Sequence, residues 1–65
     1  MMTYFVDLSN DGDRFEVRET DTRDTVYQGR LSTIGITEND PQFTNKLDDF
    51  LESVLRIAPD QWEVG

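Results

Sequence analysis

The chain has no cysteine and no histidine. Their absence removes disulfides, thiol and imidazole catalysis, and the thiolate and imidazole ligands of ordinary zinc sites. A domain of 65 residues without a disulfide points to a reducing, cytoplasmic setting. No apolar run approaches the ~20 residues that cross a bilayer. The opening stretch MMTYFVDLSNDGD lacks the basic and apolar regions of a secretion signal. Basic residues are scarce as well. Lys46 is the only lysine, and the six basic residues face fourteen acids, for a net charge of −8. That balance opposes direct contact with nucleic acid or an anionic membrane, both of which need lysine and arginine. Gly12, Gly29 and Gly35 stand singly, so there is no glycine-rich phosphate loop.

What is present organises around residues 40–58, DPQFTNKLDDFLESVLRIA. At about 100° per residue, Phe43, Leu47, Phe50, Val54 and Ile57 fall on one line, with Leu51, Leu55 and Ala58 beside it. Asn45, Asp48, Asp49, Glu52, Ser53 and Arg56 fall opposite. The spacing predicts an amphipathic helix. Asp40 or Asn39 caps its start, Pro41 suits the first helical position, and Pro59 stops it. Glu52 stands four residues before Arg56, the favourable order for a surface pair. A helix of this length is marginal alone in water, so residues 1–37 have to supply the surface it packs on.

Those residues read as strands. Residues 3–9 alternate, with Tyr4, Val6 and Leu8 on one side. A two-residue turn at Asp11-Gly12 leads into a second strand over 14–20 and sets Leu8 opposite Phe15 and Val6 opposite Val17. Residues 21–24 turn again into a third strand over 25–31. Pairing Glu19 with Thr25 puts Tyr27 beside Val17 and Gly29 beside Phe15. Ile34 and Ile36 differ in parity from Leu31, so a bend near Ser32 and Thr33 precedes either a short fourth strand or a link into the helix. The fold class is α+β: a three- or four-stranded antiparallel meander with one C-terminal amphipathic helix on one face, in the order β-β-β-α. It forms one domain, with residues 59–65 as a tail.

The same register defines the uncovered face. Phe5, Arg18 and Val26 form one row. Asp7, Glu16 and Gln28 form the next, and Ser9, Arg14 and Arg30 the third. Asp7 and Glu16 lie opposite each other as like charges, which is mildly unfavourable unless Arg14 or Arg18 sits diagonally between them. Phe5 and Val26 either cover the stem of Arg18 or form a contact patch for a partner or second copy. Trp62 either folds back to close the core or stands out as an anchor between Asp60 and Glu63.

Catalytic readings fare poorly. Asp7, Ser9 and Asp11 match the opening of a calcium-binding loop, but Arg18 stands where its final carboxylate belongs. Asp7 and Glu16 as an acid–base or magnesium pair need a concave, partly dry site. Lys46 lies on the polar side of the helix. The expectation is a non-enzyme without cofactor or metal.

Function is then a matter of interaction. From residue 7 to residue 24 there are seven acids and three arginines, a net of −4, whereas residues 41–58 carry only −1. The expectation is a small interaction protein presenting Asp7, Asp11, Asp13, Glu16, Asp21 and Asp24 to a basic surface. One version is an inhibitor whose carboxylates imitate nucleic-acid phosphates on a nucleic-acid-binding protein, as in phage anti-defence proteins. Another is an acidic domain adapted to high salt, acting as a homodimeric, adaptor or antitoxin-like subunit. A homodimer through Phe5 and Val26, or through the edge of the third strand, belongs with it.

Overall fold

The computed structural model describes residues 2–65. Three strands, β1 (Tyr4–Leu8), β2 (Arg14–Glu19) and β3 (Thr25–Arg30), form an antiparallel meander. Burial drives the pairing. Val6 sits opposite Val17 and Leu8 opposite Phe15, and Val6, Phe15 and Val17 are buried. A slip of one residue would turn all of them to solvent.

The first turn is longer than the two residues expected. Ser9 N–H reaches Arg14 C=O at 2.9 Å, and Gly12 N–H closes a turn onto Ser9 C=O at 3.0 Å. Gly12 takes φ 73°, which a side chain disfavours. The second turn corrects the β2–β3 register. Tyr27 faces Val17 as expected, but Thr25 pairs with Arg18 rather than with Glu19. Val26 is the extra residue of a bulge, and left-handed Arg23 at φ 64° takes up the offset in the turn.

Residues 32–37 form no strand. Leu31 and Ile36 are both buried, and a 3-10 turn, Ser32–Ile34, followed by Gly35 at φ 74° brings both inward. The fourth strand lies instead in the supposed tail. After a 3-10 turn at Pro59–Gln61, β4 (Trp62–Val64) pairs parallel to β1, giving a mixed sheet in the order β3-β2-β1-β4.

The helix is 13 residues long: α1 (Phe43–Phe50), continued by one wide π turn, Leu51–Leu55. It starts at Phe43, because Asp40 spends its oxygens on the preceding turn. Its Oδ1 accepts Gln42 N–H at 2.8 Å, and its C=O accepts Phe43 N–H at 2.9 Å. It ends at Leu55, before the proline is reached. Arg56 turns left-handed at φ 59°, and the N–H groups of Arg56 and Ile57 both point to Leu51 C=O. The π turn inserts a residue into the helical period. Val54, expected on the apolar line, is therefore 54% exposed, while Leu51 and Ile57 are buried. Arg56 leaves the helix, and it forms no ion pair with Glu52.

The core lies between helix and sheet: Val6, Phe15, Val17, Leu31, Ile36, Leu47, Leu51 and Ile57. Phe15, Tyr27 and Phe50 form an aromatic group at one end, with ring centroids 5.3–6.0 Å apart. Gly29 makes room for it. A Cβ there would stand 3.3 Å from the Tyr27 ring. No helix among the described residues is long and apolar enough to cross a membrane.

Candidate functional site

The acids of residues 7–24 do not gather. Asp11 and Asp13 lie in the turn after β1, Asp21 and Asp24 in the turn after β2. The six residues of β2 hold the two turns roughly 20 Å apart at about 3.3 Å per residue. Asp7 and Glu16 lie between them, on the sheet face that the helix leaves open.

Three of these carboxylates are engaged in holding the fold. Asp11 Oδ1 accepts the Ser9 hydroxyl, Asp13 N–H at 3.0 Å and Arg14 N–H at 3.4 Å. These donors favour its charged form and lower its pKa to about 2, the Ser9 bond having the largest effect. Asp13 fastens the first turn to the segment after β3. Its Oδ1 accepts Ser32 N–H at 3.1 Å, Oδ2 accepts Ser32 Oγ–H at 3.3 Å, and its C=O accepts Leu31 N–H at 2.6 Å. Arg30 stands 3.6 Å from the same carboxylate. Glu16 is held by Arg18, whose Nη2 and Nε donate to Oε2 at 2.5 and 3.0 Å. Arg18 Nη1 also donates to Arg23 C=O at 3.4 Å. Of the two arginines that could have offset the Asp7–Glu16 repulsion, Arg14 and Arg18, only Arg18 pairs, and it pairs with Glu16 alone.

The row of Phe5, Arg18 and Val26 changes at both ends. Phe5 is half-buried under Gly65, where an added Cβ would lie 3.0 Å from its ring. Val26, on the bulge, is 44% exposed. Trp62 is half-buried against the core opposite Tyr4, and its Nε1–H donates to Asp48 Oδ1 at 3.0 Å. It serves as a wall between sheet and helix rather than an outstretched anchor. The partners Ser32 and Asp48 carried no sequence signal, since both contacts depend on a long return of the chain.

In the calcium-like triplet, Ser9 and Asp11 bond to each other. Asp7 lies on a strand, and Asp11 is occupied by the donors of its own turn.

Carboxylates without a partner are spread along the chain: among the described residues Asp7, Glu19, Asp21, Asp24 and Glu38 accept no side-chain hydrogen bond and join no ion pair. Asp49, Glu52, Asp60 and Glu63 are exposed, and among the described residues they accept no side-chain hydrogen bond and join no ion pair. Asp40 differs: Lys46 donates to its Oδ2, and this bond, followed by Gln42 N–H, lowers its pKa. Comparison with protein-family models, curated proteins and solved structures returns no match to this chain.

Proposed function

We propose that this chain is a non-catalytic interaction protein whose unengaged carboxylates meet a basic surface on a protein partner. The observation that carries the reading is the division of the acids. Asp11, Asp13 and Glu16 are bound into the fold, whereas Asp7, Glu19, Asp21, Asp24, Glu38, Asp49, Glu52, Asp60 and Glu63 have no internal partner among the described residues. Charges that the fold does not use remain free to steer and bind cations. The first turn is thereby set aside, and the carboxylates left for recognition are Asp7 on β1, Asp21 and Asp24 in the second turn, and Asp49, Glu52, Asp60 and Glu63 on the helix and around β4.

The test is titration against nucleic-acid-binding proteins, with and without competing duplex DNA. Binding should weaken as salt rises and should fall when Asp7, Asp21, Asp24, Asp49, Glu52, Asp60 and Glu63 become Asn or Gln. Competition by DNA supports the phosphate-imitating version. Binding indifferent to salt, or unmoved by those substitutions, overturns the reading.

The scatter of acids over several sides favours a second reading, adaptation to high salt. Folding followed by circular dichroism against KCl separates the two, because a chain that folds fully in dilute buffer has no need of salt.

A further inference from the structure

The sheet face opposite the helix has no layer over it. A groove of about 400 Å³ crosses it, floored by the backbone of Leu8, Phe15 and Gly29. One wall carries Asp7 and Glu16, directly opposed on β1 and β2. The other carries Arg14 and Arg30, directly opposed on β2 and β3.

Within one copy this is an unfavourable arrangement, since each row sets like charges side by side. Internal relief is partial. Arg18 holds Glu16, and Asp13 stands 3.6 Å from Arg30, but Asp7 and Arg14 join no ion pair among the described residues. An acidic row beside a basic row is, however, self-complementary. A twofold axis running across the strands, between two facing sheets, lays the acidic row of each copy along the basic row of the other, with Glu16 over Arg14 and with Asp7 and Arg30 each one strand from a residue of opposite charge. The face is also electrically balanced on a chain of net −8: Arg14, Arg18 and Arg30 stand against Asp7, Glu16 and, at the β4 margin, Glu63. Two copies that meet along this face bring no excess of either charge together. We propose that the open sheet face is a self-association surface, on which Arg14 and Arg30 of one copy enter the groove of the second and meet its Asp7 and Glu16.

Analytical ultracentrifugation at physiological salt, up to about millimolar protein, tests it. The expected result is a reversible dimer. The R14E/R30E and D7R/E16R variants should each sediment as monomers, and their equimolar mixture should recover the dimer. Circular dichroism checks that both fold. If E16R unfolds the chain by freeing Arg18, the pair R14E and D7R serves instead and should behave the same way. A wild-type chain that stays monomeric over the whole range overturns the proposal. So does a dimer that persists in both reversed variants, or a folded mixture that fails to associate.

Discussion

On the inner face of the sheet, Val6 lies opposite Val17 and Leu8 opposite Phe15. One residue along, on the outer face, Asp7 lies opposite Glu16 and Arg14 opposite Arg30. The same strands thus carry one set of pairs that the fold needs and another that it tolerates. Burial against Leu47 and Leu51 fixes the inner set and therefore the register. The outer set follows, whatever its charges. Its like-charged pairs oppose folding slightly.

The contrast breaks most visibly at Leu47. Its side chain is fully buried, so Leu47→Ala should cost about 2–5 kcal/mol. In a domain this small, that is most or all of the stability. Urea unfolding measures it, and a loss under about 1 kcal/mol would show that the inner layer does not set the fold.

A middle case is Asp13, polar yet structural. Asp13→Ala strips Ser32 of two acceptors and should cost about 1–2 kcal/mol by the same melt. Asp13→Asn should recover part of it, because the amide oxygen still accepts.

The outer face should respond with the opposite sign. Arg14→Glu sets a carboxylate opposite Arg30 and should raise the stability of the monomer by roughly 0.2–1 kcal/mol, read at a dilution where no dimer forms.

The smallest effect is a pH dependence at exposed Asp11. Its folded pKa of about 2 lies below the ordinary 3.8. The stability it adds is therefore complete above that ordinary value and is lost as pH falls through the folded one. Acid titration of the wild type should show a loss between pH 3.8 and about 2 that Asp11→Asn diminishes.

The inner face was legible because alternation and burial are local signals. Residues at spacing two and spacing four declared the three strands, the first hairpin register and the helix. What escaped depends on geometry that residue type does not announce. Arg23 and Arg56 adopt left-handed conformations usually left to glycine, so nothing marked the β2–β3 offset or the end of the helix at Leu55. The π turn that exposes Val54 has no sequence signature. β4 is a three-residue strand, too short for a periodic pattern, and only its return to β1 makes it one. For the candidate site, the sequence showed two of the three rows of the open face and their charges, while the third lost Val26 to the β2–β3 bulge. It did not show which acids the fold occupies, because Asp13 and Asp48 find their partners across the chain.

The pairing of β4 with β1 also bears on the rates at which the protein folds and unfolds. β1–β2 and β2–β3 are hairpins closed by short loops, whereas β4 brings residue 62 back to residue 4. Contacts of such long range reward the chain only after the entropy of closure has been lost. The meander and helix should therefore assemble first and β4 dock late. Trp62→Phe removes the bond to Asp48 while keeping a ring. In stopped-flow measurements it should speed unfolding and leave the folding rate nearly unchanged. A slowed folding limb would instead place the closing strand in the nucleus.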